Sequence, residues 1–385
     1  MKPLILSLII CLTGPLLKAQ VRLSIKVEAD TVPEKPGKIF FAGDVNNWNP
    51  ADTVFQLNFS NGYYQGNFNN FPMGKTFFKF TKGDWSSVEK DRNGADIPNR
   101  MLELNSDSML IIHIPGKFGG HIKHTMRHTT SAQVSILDSA FYIPQLNSFR
   151  RIWIYLPPGY KKSKRKYPVI YAQDGQNLFD AYTSFSGEWR MDETLDSLYN
   201  AKGIASIVIG IDNSKDRMRE YNPFDTEEFG AGLGAVYTEF IAETLKPFVD
   251  THYRTLKDPA HTVITGSSMG GLISYYAALT RPDVFGKGGF FSTSFWIAPQ
   301  IDSLTSQLSA RLRGQYFFYA GGGEGKEMVD DMHRIADTLS ANSRALAYTV
   351  IDAEARHNET AWRKWFPEFV NWIFSNGYEY KLSVN

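Results

Sequence analysis

The chain of 385 residues has one cysteine, Cys11, and almost no excess of charge of either sign. A single cysteine excludes a disulfide framework and cysteine-based metal sites. Lys and Arg number 41 against 40 Asp and Glu, so no bulk electric field attracts nucleic acid or an anionic surface. We therefore expect a protein with no nucleic-acid partner, whose folded state is stabilised by its hydrophobic cores.

The first residues have the pattern of a secretory signal. Lys2 is followed by an apolar stretch from Leu4 to Leu17, and Ala19 offers a small residue at a cleavage point. The stretch is too short and too early for a convincing membrane anchor, although an uncleaved anchor is the alternative. Removing residues 1–19 removes Cys11 and two lysines, which changes the formal net charge from +1 to −1. We predict a secreted or periplasmic bacterial protein without stable membrane insertion.

Two composition patterns divide the rest of the chain. Residues 20–115 contain short apolar runs separated by turns rich in Asn, Asp and Gly, which predicts a smaller all-β domain with an immunoglobulin-like sandwich. Residues 116–131 are polar and glycine-containing, as in a linker. In residues 132–385 strands alternate with helical patterns, which predicts an α/β fold with a mostly parallel sheet and helices on both faces.

The stretch "TVITGSSMGG" (262–271) places a serine at a glycine-flanked corner between a strand and a helix. This G-x-S-x-G pattern in that context is typical of a nucleophile held on a sharp turn, here Ser268. The turn also places the backbone N–H of Met269 at a helix N-terminus, where it can donate to a developing oxyanion. The alternative is a purely structural turn of small residues.

A serine nucleophile requires a general base. Of the two histidines after Ser268, His333 lies in the predicted helix 326–340 and is interpreted as a surface residue. His357 follows the predicted strand 345–351, at the sheet edge where catalytic groups collect. His357 is therefore the predicted base.

The acid that orients the base should follow the preceding strand. "QYFFYAGGGEGKE" supplies an apolar strand, three glycines and Glu324, with Asp352 and Asp330 as competitors. The order Ser268, Glu324, His357 agrees with the chain order of α/β-hydrolases. Glu324 is the predicted acid.

The second oxyanion donor is expected in the loop after the predicted strand 168–172, in "DGQN". We predict the backbone N–H of Gln176, with Gly175 as the alternative. Neither donor requires a metal or a cofactor, and none is predicted.

Several loop residues are candidates for contacts with a substrate. Arg217, Arg219 and Tyr221 follow the predicted strand 204–211 and would either face the pocket or form ion pairs, with Arg219 the predicted substrate contact. Trp189 and Trp296 also fall in loops expected to form the rim of the site.

The segment from about 134 to 375 resembles an esterase family of α/β-hydrolases, which includes feruloyl, acetyl-xylan and enterobactin-type siderophore esterases. The residues that carry this resemblance are "RRIWIYLPPGY", "YPVIYAQDGQNLFD", "IVIGIDNSKDRMREYNPF", "GSSMGGLISYYAALTRPDVFG" and "EARHNETAWRKWFPEFVNWIF". The resemblance implies a triad of Ser268, His357 and Glu324. "DGQN" stands where many members have a His-Gly loop, so the second oxyanion donor does not carry over directly.

The N-terminal domain more loosely resembles starch- and glycogen-binding modules, through "FAGDVNNWNP" and "FFKFTKGDWSSVEKDRNGADIPNR". The resemblance implies that Trp48 and Trp85 stack on sugar rings. The alternative is that both close the end of the sandwich or the domain junction. Three histidines of the linker (His121, His124 and His128) have helical spacing, but no carboxylate is near them in sequence, and no metal site is predicted.

Together these features predict a secreted serine esterase that forms an acyl-enzyme. The resemblance implies that its glycan-linked substrate is an acetyl or feruloyl ester of a polysaccharide or oligosaccharide. One alternative is a siderophore or other small-molecule esterase. Another is a non-catalytic carbohydrate-binding protein that uses the hydrolase domain as a scaffold.

Overall fold

The computed structural model describes residues 20–29, 37–46, 48–91, 97–114, 128–184, 187–226 and 229–375. The chain divides into two compact units, residues 1–125 and 126–385. The predicted signal segment and most of the predicted linker, with His121 and His124, lie outside the described residues. Within the described ranges, no helix is both long enough and apolar enough to cross a bilayer.

The first unit is all-β, as predicted. Its strands are β1 (Gln20–Ala29), β2 (Lys38–Gly43), β3 (Gln56–Ser60), β4 (Tyr63–Pro72), β5 (Gly74–Thr81), β6 (Arg100–Leu104) and β7 (Ser108–Ile114). They are hydrogen-bonded in the order β6-β5-β2-β3-β4-β1-β7. The two end strands approach each other, since the guanidinium of Arg100 on β6 donates to the carbonyl of His113 on β7. Alternate side chains such as Leu23, Ile25 and Val27 enter one core.

The second unit contains an eight-stranded sheet. Its strands are β8 (Val134–Ile143), β9 (Ser148–Tyr155), β10 (Val169–Gln173), β11 (Ile207–Ile211), β12 (Thr262–Ser267), β13 (Lys287–Phe291), β14 (Gln315–Gly321) and β15 (Leu346–Asp352). Their order is β15-β14-β13-β12-β10-β11-β9-β8. All neighbours from β15 to β11 pair in parallel, whereas β9 is antiparallel to β11 and to β8.

Helices cover both faces of this sheet. They are α1 (Met191–Lys202), α2 (Arg217–Glu220), α3 (Gly234–Phe240), α4 (Lys246–His252), α5 (Met269–Thr280), α6 (Gln300–Leu308), α7 (Lys326–Asn342) and α8 (Glu359–Phe374). A π-helical segment, Ile241–Leu245, joins α3 to α4. The predicted α/β-hydrolase architecture is thus confirmed.

The central strands are buried on both faces, and alternate residues enter different cores. In β10, Val169 and Tyr171 enter one core, whereas Ile170 and Ala172 enter the core that contains residues of α1 and α8. Burial on both faces accounts for the continuous apolar runs of these strands. The six parallel strands β10–β15 end at one edge of the sheet, so the loops that follow them meet there.

Candidate active site

Ser268 lies between β12 and α5 in a conformation that few residues adopt. Its φ is 56° and its ψ is −124°, outside the regions favoured by L-residues. Its N–H donates to the carbonyl of Phe291 at 2.9 Å, which fixes the corner against the neighbouring strand. Ser268 is half-buried and its hydroxyl is presented at the sheet edge, as a nucleophile on a sharp turn requires.

The flanking glycines are required by close packing. A Cβ on Gly266 would lie 2.5 Å from the carbonyl oxygen of Gly270. A Cβ on Gly270 would lie 3.0 Å from Oδ2 of Asp174. The corner therefore packs directly on the loop after β10, where the second oxyanion donor is predicted.

Met269 and Gln176 both present backbone N–H groups without a helical acceptor. Met269 is the first residue of α5, so its N–H lies in the first turn, where no preceding helical carbonyl can accept it. In the 3-10 turn Gly175–Asn177, the first N–H that bonds within the turn is that of Asn177, which donates to the carbonyl of Asp174, and Gln176 precedes it. Gly175 is packed on the end of β11, where an added Cβ would lie 2.9 Å from the backbone of Ile211. Gln176 is half-exposed, so it is better placed than Gly175 to face a substrate.

Glu324 and His357 meet at the ends of β14 and β15. Oε2 of Glu324 lies 2.6 Å from Nδ1 of His357. Oε1 of Glu324 accepts hydrogen bonds from the hydroxyl of Ser292 at 2.6 Å and from the N–H of Gly321 at 2.8 Å. The carboxylate is 2% exposed and the imidazole 40% exposed, so the carboxylate is enclosed while the imidazole faces solvent.

The competing residues have other partners. Asp352 accepts from Lys364 at 2.6 Å and from the indole of Trp365 at 2.9 Å. Asp330 pairs with Lys326 on the same helix. The structure therefore brings Glu324, and neither competing carboxylate, to the imidazole.

Ser268 has a hydroxyl neighbour that the sequence did not single out. Its Oγ lies 3.1 Å from Oγ of Ser294, and the Ser294 N–H donates to the Ser268 carbonyl at 3.3 Å. In this structure the Ser268 hydroxyl thus bonds to Ser294, and a rotation about χ1 would direct it elsewhere. Ser294 could not be found by motif, because it belongs to the loop after β13.

The loop that carries Gln176 begins at a strained residue. Asp174 has a φ of 56°, and its carboxylate accepts two hydrogen bonds from Arg217, each 2.8 Å long. Nδ2 of Asn213 adds a third at 2.6 Å. Of the two roles considered for Arg217, the structure supports the ion pair. Tyr221 is fully buried and its hydroxyl accepts from the Asp174 N–H at 3.3 Å.

The two predicted rim tryptophans differ in position. Trp296 follows Ser294 and is 62% exposed, in agreement with a place on the rim. Trp189 is 2% exposed, so its predicted place on the rim is wrong. Its ring packs among Trp362, Phe291 and Phe366, because the loop before α1 folds inward and buries this large apolar surface.

Arg219 contacts the segment between α2 and α3. Its Nε donates to the carbonyl of Ala231 at 3.0 Å, and its side chain is partly exposed. Its predicted contact with a substrate stays a prediction.

Three carboxylates near the start of α1 form the candidate cation site of the described residues: Glu188, Asp192 and Glu193, with oxygens within 4.8 Å of one another. Burial raises the pKa of Asp192 to about 7, and the adjacent Glu193 carboxyl adds to this effect. Glu188 accepts a hydrogen bond from the hydroxyl of Thr129, and Asp192 accepts one from the N–H of Ser131. The cluster therefore holds the segment before β8 in place.

His128, the described member of the histidine triplet, lies beside a carboxylate. Its Nδ1 is 2.6 Å from Oδ2 of Asp180, and its ring packs on Tyr182. This pair also holds the segment before β8 against the rest of the second unit.

Within the first unit, Trp48 and Trp85 lie side by side. Their ring centroids are 6.2 Å apart with a 33° tilt, and both residues are half-exposed. The indole N–H of Trp48 donates to Asp44 at 2.9 Å, which fixes that ring. The pair thus presents a preformed aromatic surface.

The fold of the second unit, and the residues that meet where its parallel strands end, define a serine hydrolase of the α/β-hydrolase class. Residues 143–373 match the model of the family described as "Putative esterase". This match covers more than half of the chain, which therefore belongs to that esterase family.

The chain is also similar to curated proteins and to solved structures. The uncharacterized protein YbbA of Bacillus subtilis strain 168 is 30% identical over 186 residues, which are 46% of this chain and 70% of YbbA. An endo-1,4-beta-xylanase/feruloyl esterase of Xylanibacter ruminicola is 23% identical over 62% of this chain and 31% of its own length. The crystal structure of an enterochelin esterase from Shigella flexneri has a TM-score of 0.51 at 16% identity, covering 92% of this chain and 93% of that chain, and so shares the fold.

Proposed function

We propose that this esterase hydrolyses acyl esters through an acyl-enzyme formed on Ser268. The observation that carries the proposal is the contact between Glu324 and His357 at the strand ends beside the serine corner. Glu324 holds the proton of the imidazole on Nδ1, so Nε2 is free to accept the proton of Ser268.

The reaction follows from these roles. The hydroxyl of Ser268 leaves Ser294, gives its proton to Nε2 of His357, and Oγ attacks the acyl carbonyl. The N–H groups of Met269 and Gln176 donate to the oxyanion that forms. The imidazolium then protonates the departing alcohol. The same nitrogen later takes a proton from the water that attacks the acyl-enzyme, and it gives this proton to Oγ of Ser268 as the acid leaves.

We propose that the substrate is an acetyl or feruloyl ester of a polysaccharide or oligosaccharide. The exposed ring of Trp296 near the nucleophile and the pair of Trp48 and Trp85 support a sugar ligand, because flat π-faces match the apolar faces of pyranoses. The similarity to a xylanase/feruloyl esterase agrees with this proposal.

A siderophore ester is the second candidate, favoured by the fold shared with an enterochelin esterase over 92% of the chain. Binding of a catecholate would require free cationic side chains at the pocket. The pairing of Arg217 with Asp174 removes one of them, which favours the glycan ester.

The catalytic proposal is tested with p-nitrophenyl acetate and methyl ferulate, comparing Ser268→Ala with the matched control Ser267→Ala. We expect loss of both activities in Ser268→Ala and retention of both in Ser267→Ala. Equal activity of Ser268→Ala and the unsubstituted protein would refute the nucleophile. Inertness of the unsubstituted protein towards every activated ester would favour the non-catalytic carbohydrate-binding alternative.

The substrate proposal is tested by comparing feruloylated and acetylated xylo-oligosaccharides with a trilactone of 2,3-dihydroxybenzoylserine. A higher kcat/KM for the oligosaccharide esters is expected, and a higher value for the trilactone would contradict the proposal. Trp85→Ala should weaken retention on soluble starch, glycogen or xylan in affinity electrophoresis. Met109→Ala, an exposed apolar residue of the same unit, is the control.

We also propose that residues 1–19 direct export and are then removed. The charged start and apolar stretch support this proposal. Sequencing the N-terminus of the protein recovered outside the cytoplasm should give Gln20 as the first residue, and an intact Met1 there would contradict cleavage.

A further inference from the structure

The carboxylate of Glu324 has a defined partner for each of its oxygens. Oε2 faces His357, whereas Oε1 accepts from Ser292 and from the N–H of Gly321. The Ser292 bond is 2.6 Å long and the side chain of Glu324 is 2% exposed. Because solvent hardly reaches this carboxylate, the serine hydroxyl supplies solvation that water would otherwise provide.

Ser292 is held in place by its backbone. It follows β13 with a φ of 44°, a left-handed conformation that residues other than glycine rarely adopt, and it is fully buried. Its N–H donates to the carbonyl of Tyr319 at 2.7 Å. The chain therefore turns at the end of β13 in a way that directs this hydroxyl to Glu324.

Trp362 sets the direction of the serine hydroxyl. Its indole N–H donates to Oγ of Ser292 at 2.9 Å, and indole has no acceptor to offer in return. The hydroxyl hydrogen of Ser292 is thus left for Glu324. The same indole ring stands edge-on to the imidazole of His357, at 5.1 Å between centroids and 88° between planes.

We propose that Ser292, oriented by Trp362, is a positioning residue for catalysis. It determines which oxygen of Glu324 faces His357, and it stabilises the charge of that carboxylate. This inference rests on the proposed roles of Glu324 and His357. Neither Ser292 nor Trp362 is expected to touch the substrate.

Loss of the hydroxyl should change the chemical step more than binding. If a hydrogen bond to a charged acceptor is lost from the transition state, the rate falls by about 10- to 100-fold. We expect Ser292→Ala to lower kcat by about this factor and to leave KM within about threefold. A carboxylate that loses one hydrogen-bond donor keeps more of its negative charge, so it attracts a proton on itself or on His357 more strongly. The acidic limb of the kcat/KM profile should therefore move to higher pH.

The experiment measures kcat, KM and the pH profile with p-nitrophenyl acetate for Ser292→Ala, Trp362→Phe and Ser309→Ala. Ser309 is a fully buried serine of the same unit, away from the site in sequence, and its variant serves as the control. Trp362→Phe keeps a ring beside His357 and removes the N–H. It should shift the profile in the same direction by a smaller amount, and it gives a second test if Ser292→Ala does not fold.

Two results are distinguishable. Unchanged pH profiles in the folded variants, or equal shifts in Ser309→Ala, would overturn the positioning role while the proposed function stands. Retained activity in a parallel Ser268→Ala sample would overturn the proposed function itself.

Discussion

Replacement of Glu324 by glutamine exchanges one oxygen for an amide nitrogen at nearly constant volume. In the structure, Oε1 accepts from the hydroxyl of Ser292 and from the N–H of Gly321. An amide NH₂ in that place would face two donors, so the amide oxygen should take the Oε1 position. The NH₂ group would then face Nδ1 of His357.

This orientation imposes the wrong tautomer on His357, the proposed base. An NH₂ donor 2.6–3 Å from Nδ1 requires that nitrogen to be an acceptor, so the proton moves to Nε2. A protonated Nε2 cannot accept the proton of Ser268. The corresponding change in serine proteases lowers kcat by about 10⁴. We therefore expect a loss of about 10³–10⁴ here, or about 4–5.5 kcal/mol of transition-state stabilisation.

The assay is steady-state hydrolysis of p-nitrophenyl acetate at saturating substrate. Glu327→Gln is the matched control, since this residue lies three positions further on at the start of α7 and should retain full activity. Glu324→Gln should remain folded by circular dichroism, with KM near that of the unsubstituted protein. A folded variant that retains more than about a tenth of kcat would refute the assignment of Glu324 as the acid.

Three further predictions concern stability and the surroundings of the site. Because burial raises the pKa of Asp192 to about 7, the folded chain binds a proton that the unfolded chain releases from about pH 4 upwards, so the free energy of unfolding falls as pH rises to 7. Asp192→Asn should therefore raise the free energy of unfolding at pH 8 by up to about 4 kcal/mol and Tm by several degrees, and leave both unchanged at pH 4. Arg217→Met should cost about 3 kcal/mol in chemical denaturation and lower kcat, since it leaves the charge of Asp174 buried without its partner. Trp189→Ala should cost about 3–5 kcal/mol, whereas Trp296→Ala should keep Tm and raise KM for glycan esters.

Each of these has a distinct contrary result. A Tm difference for Asp192→Asn that is the same at pH 4 and pH 8 would exclude the raised pKa. Unchanged stability of Arg217→Met would show that Asp174 does not depend on this partner. A Tm loss in Trp296→Ala as large as in Trp189→Ala would contradict the different burial of the two rings.

Much of the fold followed from local patterns in the sequence. The predicted strands 168–172, 204–211 and 345–351 overlap β10, β11 and β15, and the predicted helix 326–340 lies within α7. β1 and α6 were not predicted, although alternation at Val21, Leu23, Ile25 and Val27 is a strand signal and Gln300–Leu308 has helical spacing. Hydrophobic periodicity suffices for such elements because burial of one face depends on near neighbours along the chain.

The serine corner is likewise a local matter. Its glycines are required by contacts within a few residues, between Gly266 and Gly270, so the motif can be read in the sequence. The order of Ser268, Glu324 and His357 also follows from the rule that each group sits after its strand.

Other parts of the site depended on the tertiary structure. The sequence placed Trp189 and Trp296 in equivalent loops, and only folding buried one and exposed the other. Ser292 and Trp362 are 70 residues apart and carry no motif that joins them.

The sequence by itself thus determined the fold class, the serine corner and the order of the three predicted catalytic residues, because each depends on periodicity or on sterics within one turn. The tertiary structure alone decided which carboxylate meets His357, which hydroxyl supports that carboxylate, and which arginine and tryptophan are withdrawn from the pocket. Those outcomes depend on distances of 2.6 to 3 Å between separate loops, such as that between Glu324 and His357. Parallel pairing of β13, β14 and β15 brings these loops to one edge of the sheet. The direction in which each side chain points there depends on the packing of the whole unit, and no local sequence pattern specifies it.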